Sequence, residues 1–195
     1  MKTIVYFIRH AESDYAVHDD LNRPLTTKGE KDALNVADYL EAKGIEAVLS
    51  SPYKRAIDTV KPFADRVNLN IELVHDFRER KVDNCWIDDF NQFTKNQWED
   101  FNYKLSNGEC LKEVQQRNIK ALKEILSRYK GKNIVIGTHG TALSTIINYY
   151  DSSYGYKEFN EIRMLMPWIV KFTFEEDRCI NIEKINILKR GKYDI

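Results

Sequence analysis

Two histidines and two arginines stand where strands of this sequence run out, and together those residue types suit the handling of phosphate. The apolar run Ile4-Val5-Tyr6-Phe7-Ile8 leads straight into Arg9-His10-Ala11-Glu12, and far downstream Asn133-Ile134-Val135-Ile136 leads into Gly137-Thr138-His139-Gly140 and a helix-like segment. A short, continuous run of β-branched and aromatic residues is the pattern of a fully buried strand. In open α/β sheets, ligands collect outside the carboxyl ends of such strands. A third strand, Val48-Leu49-Ser50, ends at Ser51-Pro52-Tyr53-Lys54-Arg55-Ala56, where Ser51 fits an N-cap and Pro52 the first position of a helix. Arg55 then lies one turn into that helix, near a terminus whose unpaired N–H groups and dipole favour an anion. A lone histidine after a strand is most often a satisfied structural residue, and a lone arginine a solvated one. Several strand ends that deliver Arg9, His10, Arg55 and His139 together weigh against coincidence.

These segments resemble the histidine phosphatase superfamily, also called phosphoglycerate-mutase-like. The resemblance is carried by Arg9-His10-Ala11-Glu12, Leu25-Thr26-Thr27-Lys28-Gly29, Ser50-Ser51-Pro52-Tyr53-Lys54-Arg55-Ala56-Ile57-Asp58-Thr59, Gly108-Glu109-Cys110-Leu111-Lys112-Glu113-Val114 and Thr138-His139-Gly140, in the family's order and across most of the chain. It implies an α/β three-layer sandwich with a mostly parallel central sheet flanked by helices, and a phosphomonoesterase that needs neither metal nor cofactor. His10 would attack the phosphorus of a small phosphorylated metabolite and become phosphohistidine. Arg9 and Arg55 would hold the transferring group, His139 would complete the clamp, and Gly140 and Ser13 would add further phosphate contacts. The family's proton-donating glutamate matches Glu79 in Phe77-Arg78-Glu79, with Asp76 and Asp83 as neighbouring carboxyls and Arg78 and Arg80 as possible surface ion-pair partners.

Residue chemistry agrees with those roles. A neutral imidazole is a competent nucleophile near neutral pH because its ordinary pKa lies close to the working range. The arginine fork makes bidentate hydrogen bonds to phosphate oxygens, and phosphoryl transfer is catalysed largely by positioning and charge stabilisation. Two guanidinium groups beside His10 favour its uncharged form. One carboxyl can protonate the leaving alkoxide and then deprotonate the attacking water.

The chain departs from the family's pattern at several points. Ala11 stands where glycine is commoner, Ala16 where mutases carry asparagine, and Cys110 where many relatives have serine; Cys110 reads as a packed small residue rather than a nucleophile. The segment after Glu79 is too short for the long insertion of sugar-phosphate mutases. A phosphatase therefore ranks above a phosphoglycerate-type mutase. A catalytically silent phospholigand-binding module ranks last, since a binding protein has no need of a nucleophile.

Composition bounds the partners. At 195 residues, with 30 lysines and arginines against 30 aspartates and glutamates, the chain fits one domain over 1–195 and shows no bias towards nucleic acid or an anionic membrane. The three cysteines are widely spaced, which argues against a disulfide framework or a zinc cluster. The chain opens on a strand pattern rather than a signal peptide and holds no apolar run of spanning length, so a cytoplasmic location is expected. Lys81, Lys95 and Lys104 are interleaved with Asp83, Asp88, Asp89, Glu99 and Asp100, a mixture that favours a singly phosphorylated substrate over a polyanion.

The elements that must position the site alternate between strand and amphipathic helix. A helix is expected from about Thr27, capped by Thr27 with Glu30 and burying Ala33, Val36, Ala37 and Leu40, with Gly44 at its close. The helix from Pro52 buries Ala56, Val60, Phe63 and Ala64, with Pro62 expected to kink or shorten it. A strand near Ile71–Val74 precedes Glu79. Leu111, Val114, Leu122, Ile125 and Leu126 mark a helix to Tyr129, and Trp168–Phe174 with Cys179–Ile185 read as an antiparallel hairpin extending the sheet edge. Between them, residues 80–107 form a helical, substrate-covering insertion. Its aromatic stripe, Trp86, Phe90, Phe93, Trp98, Phe101 and Leu105, reads first as core, with the outermost rings free to touch an apolar leaving group.

Overall fold

Alternate residues of the first strand, β1 (Lys2–Arg9), enter opposite cores: Val5 and Phe7 on one face, Tyr6 and Ile8 on the other. Burial on both faces is what a continuous apolar run requires of a sheet covered by helices on each side. The computed structural model describes residues 1–187; residues 188–195, which the sequence reading places in the same domain, lie outside the described residues. In chain order β1 is followed by α1 (Thr27–Glu41), β2 (Ala47–Ser50), α2 (Lys54–Arg66), β3 (Ile71–Leu73), a 3-10 turn over His75–Phe77, α3 (Phe90–Glu99), α4 (Leu111–Arg128), β4 (Asn133–Thr138), α5 (Gly140–Tyr150), α6 (Tyr156–Ile162), β5 (Trp168–Glu175) and β6 (Arg178–Ile185). The six strands lie in the order β3-β2-β4-β1-β5-β6. From β3 to β1 all neighbours are parallel, and the β5–β6 hairpin continues the sheet antiparallel from β1. The expected three-layer α/β architecture with its terminal hairpin is the one observed.

Helices α1 and α2 pack Val36, Leu40, Val60 and Phe63 against Tyr6, Ile8, Val48 and Val135, while α4, α5 and α6 pack Leu122, Ile125, Ile146 and Phe159 against Val5, Phe7, Ile134 and Ile136. Each such fully buried side chain contributes about 1.5–3 kcal/mol relative to exposure. Phe7 also meets Phe77 and Phe172 edge-on, at centroid distances of 6.0 and 5.3 Å, so β1 is packed directly against the turn that precedes Glu79.

Several local expectations are corrected. The cap of α1 is Thr26, not Thr27: Thr26 Oγ1 accepts from Gly29 N–H at 3.0 Å. Helix α2 begins at Lys54 rather than Pro52, and it runs through Pro62 to Arg66. The bond that Pro62 cannot donate would have gone to the Asp58 carbonyl, on a half-exposed side of the helix, while Phe63 and Ala64 just beyond it are buried and hold the last turn down. The aromatic stripe divides. Phe93 and Trp98 are buried, Phe90 opens α3 partly exposed, and Trp86 lies outside any helix and is 65% exposed. Helix α6 leaves no helical signal in the sequence because its 7 residues are too few to display a 3.6-residue period.

Candidate active site

The parallel strands place β1, β2 and β4 with their carboxyl ends along one edge, and backbone pairing continues past each end. His10 N–H donates to the Thr138 carbonyl at 3.0 Å, Ser51 N–H to the Gly137 carbonyl at 2.8 Å, and Val74 N–H to the Ser50 carbonyl at 2.8 Å. Residues just beyond the strands are thereby fixed as firmly as those within them. The loop after β1 is pinned by the segment that opens α1. Thr26 Oγ1 donates to Glu12 Oε1 at 2.9 Å, Thr26 N–H donates to the Glu12 carbonyl at 3.0 Å, and Lys28 Nζ stands 3.4 Å from Glu12 Oε2. A Cβ on Gly29 would overlap the Glu12 carbonyl, which explains glycine there. On the α2 side, Ala11 N–H donates to Thr59 Oγ1 at 2.9 Å, and that hydroxyl donates to the Arg55 carbonyl at 2.7 Å.

Arg9, His10, Arg55 and His139 are brought together in one buried cluster, all 8% exposed or less. The two imidazole rings lie 5.3 Å apart between centroids. Tyr53 is edge-on to His139 at 5.1 Å, and the Arg55 guanidinium lies 5.0 Å from the Tyr53 ring centre. Arg9 comes against the start of α5 so closely that a Cβ on Gly140 would stand 3.1 Å from its guanidinium carbon; glycine admits it. Three carbonyls at the end of α6 and just beyond it hold the Arg9 head: Nη1 donates to Ile162 at 2.7 Å and Leu165 at 3.2 Å, and Nη2 to Arg163 at 3.1 Å. Arg55 Nη1 donates to the Asp20 carbonyl at 2.6 Å, with the Asp20 carboxylate 3.5 Å from Nη2.

His10 Nδ1 lies 2.7 Å from the Ala11 carbonyl. A carbonyl can only accept, so Nδ1 carries the proton and Nε2 presents its lone pair. Burial, and after it the charges of Arg55 and Arg9, hold His10 well below the usual imidazole range. Burial and then Arg55 do the same to His139. Both rings are neutral at pH 7 as a result. His139 Nε2 is 2.7 Å from Ser51 Oγ, which accepts from Tyr53 N–H at 3.2 Å, and His139 Nδ1 is a buried atom with no protein partner.

Glu79 reaches the same corner from the loop after the 3-10 turn. Its Oε2 accepts from Thr141 N–H at 3.0 Å, and its Oε1 from Ala142 N–H at 3.2 Å and Arg80 N–H at 2.8 Å. The carboxyl thus sits on the N-terminus of α5, immediately after His139. Ser13 is buried, in an isolated bridge to Leu25, with its hydroxyl unpaired.

A model of the histidine phosphatase superfamily (branch 1) matches residues 5–187. The chain belongs to the histidine phosphatase superfamily. It is 26% identical over 180 residues to the Bacillus subtilis (strain 168) protein named uncharacterized phosphatase PhoE, with 90% of this chain and 91% of that one covered. Identity is 27% over 158 residues to a probable phosphoglycerate mutase GpmB of Enterobacter sp. (strain 638), at 74% and 73% coverage. Among solved structures, the fold is shared with a phosphoserine phosphatase of Entamoeba histolytica in complex with 3-phosphoglyceric acid, with a TM-score of 0.77, 19% identity, and 95% and 99% of the two chains covered.

In this member of the superfamily, three residues that border the site carry no local signal in the sequence. Ser51, expected to cap α2, faces His139 instead. Arg23 is buried, donates through Nε to the Val17 carbonyl at 2.8 Å and approaches Asp20 at 3.3 Å, and its charge reaches His10. Arg80 is 3% exposed. It donates to Thr141 Oγ1 at 2.9 Å and Thr94 Oγ1 at 3.2 Å, lies over the rings of Phe90 and Phe93, and is pushed down to about 10 by burial. In sequence Arg80 is one of several charges around Glu79, and only the packing of α3 distinguishes it from Arg78. His18 stacks on Trp86 at 4.8 Å, joining the loop after β1 to the segment before α3. Among the described residues no helix is long and apolar enough to cross a membrane, and no cluster of ligating side chains is arranged to hold a metal ion.

Proposed function

We propose that this protein is a phosphomonoesterase that hydrolyses a small, singly phosphorylated metabolite through a phosphohistidine at His10 Nε2. The observation that carries the reading is the buried cluster of Arg9, His10, Arg55 and His139, in which a neutral His10 imidazole is accompanied by buried atoms without protein partners, Arg9 Nε, Arg55 Nε and His139 Nδ1, with Ser13 Oγ a further one in the loop after β1. An unpaired buried donor costs about 1–3 kcal/mol, and the oxygens of a phosphoryl group are acceptors suited to the arginine and serine donors among them. In the first step the Nε2–P bond forms as the P–O ester bond breaks, and Glu79 gives its proton to the leaving alkoxide. In the second, water attacks phosphorus, the P–N bond breaks and Glu79 recovers a proton. Oε2 has one amide partner where Oε1 has two, so Oε2 is the oxygen with room for that proton. The chain acts as one domain, with residues 80–107 as the cover over the substrate. The exposed rings of Trp86 and Phe90 border the leaving-group side.

Glu79→Gln is expected to lower kcat on alkyl phosphates by about 10²–10³-fold and on an activated aryl phosphate by less than about 10-fold, since only the alkoxide needs a proton to leave. Equal losses on both would remove Glu79 from the acid role. The reading as a whole is tested by phosphate release from a panel of phosphorylated metabolites in the presence of a chelator. Expected is free phosphate at an undiminished rate. Isomerised ester without free phosphate would point to a mutase, and collapse of the rate on chelation would contradict the mechanism.

A further inference from the structure

Gly108-Glu109-Cys110-Leu111 belongs to the segments that carry the family resemblance, yet none of its side chains enters the phosphate cluster. Cys110 is accounted for as the N-cap of α4. Glu109 is bound to Arg117, and Arg117 uses every N–H of its guanidinium. Nη1 donates to the carbonyls of Asp76 at 2.6 Å and Arg78 at 2.9 Å, and Nη2 to the Glu79 carbonyl at 3.3 Å and Glu109 Oε2 at 3.1 Å; Nε donates to Glu109 Oε1 at 2.9 Å. Glu109 closes the ring by accepting from Lys81 N–H at 2.9 Å and Arg78 Nη2 at 2.8 Å. From the β4 side, Thr138 Oγ1 donates to the Phe77 carbonyl at 3.1 Å.

The segment 76–81 has no regular structure beyond its opening turn, so its own backbone bonds cannot fix it. A planar fork with five donors in rigid geometry can hold several carbonyls in a single arrangement, which a lysine ammonium cannot. The guanidinium is largely buried, its side chain 11% exposed, and water competes weakly for the same carbonyls. Glu79 is therefore held at both ends: its carboxyl by the first turn of α5, its backbone by Arg117.

We propose that Arg117, locked by Glu109, is the positioning residue that sets the Glu79 carboxyl at proton-transfer distance from the leaving oxygen. The inference rests on the reading of Glu79 as proton donor. A displacement near 1 Å in such a group costs about 10²-fold in rate, so Arg117→Lys should lower kcat on an alkyl phosphate by about that factor with little change in KM, and kcat on 4-nitrophenyl phosphate by far less. Glu109→Gln should shift the alkyl-to-aryl ratio in the same direction and serves should Arg117→Lys not fold.

The deciding measurement is a double-mutant cycle with Glu79→Gln. Once the carboxyl is gone its placement no longer matters, so Arg117→Lys, or Glu109→Gln, should change the ratio no further. Losses that multiply in the double variant, or that fall equally on both esters, overturn the proposal. If Glu79→Gln alone leaves the ratio untouched, the donor reading itself fails and takes this inference with it.

Discussion

His10→Ala is expected to reduce turnover of any phosphomonoester by about 10⁴-fold or more, the scale seen when a covalent nucleophile is removed, and to abolish acid-labile, base-stable phosphate on the protein. The physical basis is the tautomer. Nδ1–H is committed to the Ala11 carbonyl at 2.7 Å, so only Nε2 can reach phosphorus, and no other unprotonated side chain of the cluster takes the same place. His139 is the neutral imidazole nearest to doing so, but its Nε2 is occupied by Ser51 Oγ. Phosphate should still bind to the variant, because Arg9, Arg55 and His139 remain, and this separates loss of the nucleophile from loss of the fold. The measurement is rapid acid-free quench of enzyme with 32P-labelled ester, followed by denaturing gel. Label that persists in His10→Ala would sink the assignment.

The second large effect is expected for Arg55→Ala: a fall of about 10³-fold in kcat/KM, within the range for removing a donor that meets developing charge. The pH profile carries a separate signature. Burial and the charge of Arg55 both hold His10 below the usual imidazole range, so in the native protein the imidazole stays neutral well below pH 6.5, and the acid limb of kcat/KM expected of His10 as the proposed nucleophile lies there. Removing the guanidinium leaves imidazolium less disfavoured. The pKa of His10 rises, its neutral fraction at a given acid pH falls, and the limb moves to higher pH. Arg55→Lys keeps a charge but not the fork, and should restore the limb more completely than the rate. Arg55 also ties the loop after β1 through the Asp20 carbonyl, so thermal unfolding of each variant must accompany the kinetics. An acid limb unmoved in Arg55→Ala would mean that its charge does not reach His10.

Strand tips were readable because composition reports burial directly: a continuous apolar run must be covered on both faces, and the polar residues that follow it must emerge at an edge. The positions of Arg9, His10 and His139 follow from that reasoning. The Thr26-Thr27-Lys28-Gly29 string shows the limit of local pattern. Either threonine satisfies a capping rule, and the choice fell to Thr26 because its hydroxyl also reaches Glu12 across the loop. Local pattern expects Pro62 to kink or shorten α2, yet the helix continues to Arg66, its last turn held down by the buried Phe63 and Ala64.

What the chain determined by itself is the order and type of its longer elements, the α/β class, and the residues able to do phosphate chemistry, since each rests on periodicity or on side-chain chemistry within a few positions. What only the tertiary structure decided is which charges serve the site. Arg78, Arg80 and Arg117 are alike in sequence, yet one pairs with Glu109, one is buried between Thr94 and Thr141, and one gathers the carbonyls behind Glu79. The fate of an arginine depends on acceptors brought from 14 to 61 residues away, and such long-range partners leave no periodic trace in the segment that carries the donor.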